Sequence, residues 1–121
     1  MRIETIQKNG VDIVVVTEGA AITDAASAME LAMTVRYETG CSRIAIDKKQ
    51  VCGDFFILST QLAGEVLQKF INYRVKMAIY GDYSRYTSKP LHDFIYESNQ
   101  GNDFFFVATK EEALEKLSAA R

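Results

Sequence analysis

Two aspartates and a tyrosine-rich loop are the residues of this 121-residue chain whose types and spacing could carry chemistry. Asp47 and Asp82 each follow a short apolar run, and two such carboxylates could work together as an acid and a base. Their simpler interpretation is structural, because aspartates at strand ends often accept hydrogen bonds from loop amides. Tyr83 and Arg85 lie where tyrosine recurs every third residue, a spacing that suits either a contact surface or tyrosines packed between core and water.

A pair of hydroxyl residues, Ser59 and Thr60, precedes an apolar stripe with helical spacing. Either residue could cap that helix by accepting a hydrogen bond from a first-turn N–H group. A phosphate on either hydroxyl would instead meet those N–H groups and the positive end of the helix dipole, so the fold could accept it as a switch. Lys48 and Lys49, one loop earlier, are candidates to pair with such a phosphate.

The remaining reactive residue types make a weak case for an enzyme. The chain has no GxGxxG, GxxxxGK(S/T), HExxH or CxxC motif. Its one histidine, His92, lies off the apolar face of its helix, where we expect it to face solvent. Cys41 and Cys52 are too few for a disulfide framework or a zinc site and fit a reduced chain. We therefore expect no metal site and no cofactor.

Length and charge bound the class of the protein. A chain of 121 residues fits one domain, residues 1–121, that buries roughly two-thirds of its unfolded surface. Its net charge of -2 gives no electrostatic reason to expect nucleic-acid binding. No apolar run approaches the roughly 20 residues of a membrane span, and the first residues lack the basic start and apolar block of a secretory signal. We therefore expect a cytoplasmic protein that binds neither nucleic acid nor membrane.

Hydrophobic periodicity and turn residues predict the elements that position these side chains. Residues 3–7 and 11–17 flank Asn9-Gly10, the dipeptide favoured in a type I′ turn, and predict a β-hairpin. The other predicted elements are a helix capped by Thr23 or Asp24 that runs through residue 38 and is ended by Gly40, a strand at 43–47, a helix at 59–72, a strand at 75–80, a helix from Pro90 to Gly101, a strand at 103–107, and a helix opened by Thr109 and Glu112.

The predicted helix at 59–72 and the strand after it form the centre of the predicted core. Leu67 and Phe70 lie in the middle of the apolar stripe, so both are predicted to be core residues. The start of this helix stays open, because Phe56 fits the same stripe if the helix begins at Asp54.

The order of these elements predicts an α/β domain with a mixed five-stranded sheet, built from a β-hairpin followed by βα units and carrying about four helices. Loops at the carboxyl ends of parallel strands meet at one edge of the sheet, where ligands usually bind. The predicted binding residues at this edge are Asp47, Lys48, Ser59, Thr60, Asp82, Tyr83 and Arg85.

Three stretches of the sequence carry a family resemblance. They are TVRYETGCSRIAID, DFFILSTQLAGEVLQKFINYRVKMAIYGDYSRYTSKPLHDFIYESNQG and FFFVATKEEALEKL. Over nearly the whole chain, they resemble the bacterial family named domain of unknown function 4180. The resemblance implies membership of a family with no assigned activity.

The element order also resembles the STAS domain of anti-sigma-factor antagonists, which bind a protein partner and are switched by serine phosphorylation. The motif of that family places an aspartate, two hydroxyl residues and a glycine at the start of the helix after the third strand. The matching positions here are Leu58, Ser59, Thr60 and Gln61. The two hydroxyls are kept, and the aspartate and the glycine are absent. This resemblance implies a STAS-like module with a protein partner.

Two functions are therefore open from the sequence. The first is a small regulatory or scaffolding module that acts by binding another protein, as the STAS-like order and the hydroxyl pair suggest. The second is a small-molecule binder or an unrecognised enzyme that uses the polar carboxyl edge. We also expect a homodimer, because a chain this short with 11% aromatic residues is not expected to cover all of its apolar surface alone.

Overall fold

The chain alternates helices and strands after an initial hairpin. The computed structural model describes residues 1–121 and contains five strands and four helices. The strands are β1 (Arg2–Lys8), β2 (Val11–Glu18), β3 (Arg43–Asp47), β4 (Lys76–Tyr80) and β5 (Phe104–Val107). The helices are α1 (Ala25–Thr39), α2 (Leu62–Asn72), α3 (Lys89–Gln100) and α4 (Lys110–Ala119). Between β3 and α2 lie three 3-10 turns, at Lys48–Gln50, Gly53–Phe56 and Leu58–Thr60.

The five strands form one sheet in the order of the sequence. β1 pairs with β2 in antiparallel orientation, and β2 to β5 are parallel. Asn9 and Gly10 have φ angles of 52° and 77°, as a type I′ turn requires. The predicted hairpin and the predicted mixed sheet with four helices are confirmed.

The helices α1, α2 and α3 cover one face of the sheet, and α4 covers the other. Each crossover moves to the next strand in the same direction, and because such crossovers are right-handed, all three helices lie on the same side. The core under these helices includes the strand residues Val14, Val16, Ile44, Ile46, Met77, Ile79, Phe104 and Phe106. The smaller core under α4 includes Ile13, Val15, Ala45, Ala78, Phe105 and Val107.

Several helix ends have the predicted caps. Asp24 accepts a hydrogen bond from the Ser27 N–H at 2.7 Å, and bonding to Ser27 lowers the pKa of the Asp24 carboxyl. Gly40 ends α1 with a left-handed φ of 76°. Thr109 caps α4 by accepting a hydrogen bond from the Glu112 N–H. Local sequence signals therefore predict these boundaries correctly.

The start of α2 differs from the prediction. The helix begins at Leu62 rather than at residue 59, and its N-cap is Gln61, whose φ of 65° is left-handed. Ser59 lies in the preceding 3-10 turn and does not cap the helix. The Thr60 hydroxyl accepts a hydrogen bond from the Leu62 N–H at 3.3 Å, but Thr60 lies one position before the N-cap. The predicted cap is therefore wrong for Ser59, whereas Thr60 makes the predicted hydrogen bond to a first-turn N–H group without being the N-cap residue.

Aromatic packing sets this boundary. Phe55 and Phe56, in the 3-10 turn before Ile57, are buried. Phe55 stacks on Phe104 with ring centroids 6.0 Å apart, and Phe56 meets Phe106 edge-on at 6.4 Å. These rings hold the chain at the edge strand β5 before it can form a regular helix. The alternative start, in which Phe56 would belong to α2, is therefore also wrong.

Only one of the two predicted core residues of α2 is in the core. Phe70 is fully buried, with 0% of its surface exposed, whereas Leu67 is partly buried. Leu67 packs against the margin of the core and also lines a groove between α2 and α3. The core prediction is therefore confirmed for Phe70 and wrong for Leu67.

We expect Phe70→Ala to lower the free energy of unfolding by about 3–5 kcal/mol, because the change removes a fully buried ring and leaves a cavity. Leu67→Ala should lower it by less than about 2 kcal/mol, since part of that side chain already contacts water. Urea denaturation of both variants measures the two losses. A loss for Leu67→Ala as large as that for Phe70→Ala would contradict this assignment.

Candidate functional site

A polar cavity lies at the carboxyl ends of the neighbouring strands β3 and β4. It has a volume of about 250 Å³, and none of its lining residues is hydrophobic. The lining residues are Asp47, Lys48, Lys49, Gly81, Asp82 and Arg85. The structure thus brings together four of the seven predicted binding residues, namely Asp47, Lys48, Asp82 and Arg85.

Both carboxylates of the polar cavity hold their own loops. An Asp47 oxygen accepts a hydrogen bond from the Lys49 N–H at 2.8 Å, and an Asp82 oxygen accepts one from the Ser84 N–H, also at 2.8 Å. The hydrogen bonds to Ser84, and then the charges of Arg85 and Lys48, lower the pKa of the Asp82 carboxyl. Asp82 is therefore ionised at neutral pH and is poorly suited to donate a proton.

Lys48 is held over aromatic rings. Its Nζ lies 4.9 Å from the ring centroid of Tyr86, 5.3 Å from that of Phe56 and 6.0 Å from that of Tyr83. These distances are within the range of cation–π attraction. The stem of the lysine packs close to Gly81, where a Cβ atom would lie only 2.6 Å from the Lys48 Cβ. The glycine and the rings together fix the position of this cation.

Tyr83 is a packed residue with a structural hydroxyl. The hydroxyl donates a hydrogen bond to the Ile79 carbonyl oxygen at 2.7 Å, and the ring meets that of Phe106 edge-on at 6.0 Å. Burial, followed by the nearby Tyr86 and Asp47, raises the pKa of Tyr83 far above its ordinary value. Of the two interpretations of this loop tyrosine, the structure shows the packed one.

Ser59 and Thr60 lie outside the polar cavity. Ser59 is exposed and lines a second cavity, together with Arg85 and Tyr86, which we call the Ser59 cavity. The Thr60 hydroxyl lies 2.8 Å from the carbonyl oxygens of Asp54 and Ile57 and donates to these backbone groups. Lys48 and Lys49 do not line the Ser59 cavity, so Arg85 is the cation of the polar edge that lies beside Ser59.

A groove between α2 and α3 is a feature that the sequence does not predict. It consists of two cavities of about 230 and 510 Å³ that share Phe94 as a lining residue, and the Ser59 cavity adjoins it at Leu58. We call it the α2–α3 groove. It is lined by Leu58, Gln61, Gly64, Glu65, Leu67, Ile71, Phe94, Glu97, Ser98, Gly101, Asn102, Asp103 and Phe104. One feature of the sequence could have indicated this groove. The apolar stripe on α2 is wide enough to include Ile71, and Ile71 is not a core residue.

The groove follows from how the helices divide the sheet. α1 and α2 pack against each other, whereas α3 packs on β5 at the edge of the sheet. The space between α2 and α3 is therefore not filled by side chains of this chain. Ile71 keeps 42% of its surface exposed at this place.

The order of the strands removes the usual crevice for small ligands. In open α/β sheets, that crevice forms where the strand order reverses and neighbouring connections go to opposite faces. Here β2 to β5 follow one another and all three crossover helices lie on one face, so no such reversal occurs.

Other reactive residues are not assembled into a catalytic group. The His92 ring is exposed and bonds to the Tyr86 carbonyl oxygen. Cys41 and Cys52 are free thiols. No group of three or more histidine, cysteine, aspartate or glutamate side chains is placed to hold a metal ion. None of the helices combines the length and the apolar content that crossing a membrane would take.

Comparison of the sequence with known families decides the relationship. Residues 8–117 match the family described as Domain of unknown function (DUF4180). The chain belongs to this family. The resemblance inferred from the three sequence stretches is thereby confirmed for a family that carries no assigned activity. No curated protein matches the DUF4180 chain.

We expect Gly81→Ala to destabilise the DUF4180 domain by about 1–3 kcal/mol, because the new methyl group overlaps the Lys48 stem and displaces its ammonium from the rings. Gly53→Ala is the matched control, since a Cβ there meets nothing within 4 Å. Thermal and urea denaturation measure both changes. Equal stability of the two variants would show that Lys48 is not held in this position.

Tyr83 should make stability depend on alkaline pH. Its raised pKa means that the folded protein favours the neutral phenol, so this contribution is complete below about pH 10, where the unfolded tyrosine titrates, and is lost as pH rises further. Tyr83→Phe lacks the titrating group. Urea denaturation from neutral pH to above about pH 10 should therefore show a steeper loss of stability for the parent than for the variant. Parallel curves would contradict the prediction.

Proposed function

We propose that this protein is a small cytoplasmic regulatory or scaffolding module that acts by binding another protein, and that the α2–α3 groove is its docking surface. The observation that carries the proposal is the groove itself, an open and partly apolar surface between two helices that the chain does not fill. Surfaces of this kind commonly mark sites of protein interaction.

The groove combines fixed and exposed apolar side chains, as a docking surface needs. Phe94 is anchored, because its ring meets that of Phe106 edge-on at 5.9 Å. Leu67 is partly buried and Ile71 is exposed. A partner that covers these side chains would gain roughly 25 cal/mol for each Å² of apolar surface removed from water.

A groove variant with a neighbouring control tests this proposal. Ile71→Glu places a charge in the apolar part of the groove, and Asn72→Glu places the same charge one residue later on an exposed position that does not line it. Affinity purification from the native cell should recover a stoichiometric partner with the parent and with Asn72→Glu, and should lose it with Ile71→Glu. Equal recovery by all three proteins would show that the groove is not the docking surface.

The second candidate function is small-molecule binding, or an unrecognised reaction, in the polar cavity. The observation in its favour is that Lys48, Lys49 and Arg85 line this cavity without forming an ion pair. A thermal-shift screen with metabolites and nucleotides separates the two functions. A reproducible ligand shift that Arg85→Ala removes, together with no protein partner, would replace the first proposal by the second.

A further inference from the structure

We propose that the occupant of the α2–α3 groove is an amphipathic α-helix of another protein, with basic residues beside its apolar stripe and with its backbone close to Gly64. This inference rests on the function proposed above and specifies the chemistry of the partner. Three observations carry it. They are a glycine in the wall of the groove that the fold does not require, the negative charge along the groove, and a sheet edge at β5 that is blocked by a side chain.

Gly64 is a glycine that the fold itself does not require. It lies inside α2, where glycine is unfavourable compared with alanine because it loses more backbone freedom on folding. Its φ is not in the left-handed region, and a Cβ atom built on it meets nothing within 4 Å. Nothing inside this chain therefore explains the missing side chain. A missing side chain in the wall of a groove allows an external backbone to approach closely, as small residues do where helices cross.

The charges along the groove have one sign. Its lining includes Glu65, Glu97 and Asp103 and no lysine or arginine. Asp103 pairs with Lys76 at 3.5 Å, but Glu65 and Glu97 form no ion pair. Two free carboxylates on opposite walls would repel an acidic occupant and attract a basic one.

The geometry suits a helix and not an added strand. A strand would have to pair with β5, the edge strand on this side of the sheet. The Asn99 side chain closes that edge, because its amide accepts the Phe106 N–H at 2.8 Å and donates to the Phe106 carbonyl oxygen at 3.0 Å. The walls of the groove are two helices, and its lining on α2 runs from Gly64 to Ile71, which is about two helical turns or roughly 12 Å.

A second copy of this chain fits the groove poorly. A two-fold axis through the groove would bring Glu65 and Glu97 towards the same carboxylates of the other copy, and such like charges disfavour association. The homodimer expected from the sequence would therefore have to use another face of the molecule.

Designed peptides of opposite charge test the proposal on the full chain. Each peptide has about 14 residues and the same leucine stripe at i, i+3, i+4 and i+7, and the flanking positions carry either lysine or glutamate. Fluorescence anisotropy should show the lysine peptide binding at least about tenfold more tightly than the glutamate peptide. The double variant Glu65→Lys/Glu97→Lys should reverse this order. Equal affinities, or no binding of either peptide, would overturn the proposal.

Gly64→Ala supplies an independent readout. The substitution should raise the melting temperature, because alanine is the better helix residue, and yet weaken binding of the lysine peptide by about tenfold, because the new methyl group blocks the close approach. Gly53→Ala, outside the groove, should leave peptide affinity unchanged. Unchanged peptide affinity in Gly64→Ala would overturn the role of this glycine.

The outcomes separate this inference from the function on which it rests. If Ile71→Glu loses a native partner while the two peptides bind equally, the groove is a docking surface and the basic helix is wrong. If Ile71→Glu instead converts a dimer to a monomer in light scattering, a second copy occupies the groove and the inference is wrong. If the native partner is kept by Ile71→Glu, the proposed function fails first.

Discussion

The packing of Phe55 and Phe56 against the phenylalanines of β5 is the interaction on which the rest of this structure depends. It ties the segment after β3 to the edge strand on the far side of β4. The same contact postpones the start of α2 until Leu62 and so shortens that helix. It also presents the Phe56 ring to the Lys48 ammonium at 5.3 Å. The polar cavity and the α2–α3 groove are thus arranged on either side of one aromatic cluster.

Most of the fold could be predicted from the sequence because its signals are local. The strand predicted at 43–47 is β3, and the turn at Asn9-Gly10 has the backbone angles that this dipeptide prefers. The start of α2 could not be predicted in this way. Ser59 and Thr60 are good caps by residue type, and only a contact with β5, far along the chain, decides that the helix begins later.

The candidate site could be predicted in its position but not in its contacts. The rule that parallel strands bring their carboxyl ends together correctly places Asp47, Lys48, Asp82 and Arg85 around one cavity. The rule does not say that the carboxylates turn back onto their own loops or that rings from separate segments lie under the lysine. The α2–α3 groove could not be predicted for a related reason. An apolar stripe shows which side chains avoid water, but it does not show how far apart two helices lie.

The lone helix on the opposite face has a consequence for how the protein is made. Six buried strand residues, among them Ile13, Phe105 and Val107, are covered on that face by α4 alone. The Arg43 guanidinium, at the start of β3, donates to the Leu117 and Ala120 carbonyl oxygens and so secures the end of this helix. During synthesis the sheet can therefore assemble before its second cover exists. Until residues 110–119 have left the ribosome, the nascent chain carries an apolar sheet face open to water, which makes this interval its most aggregation-prone stage.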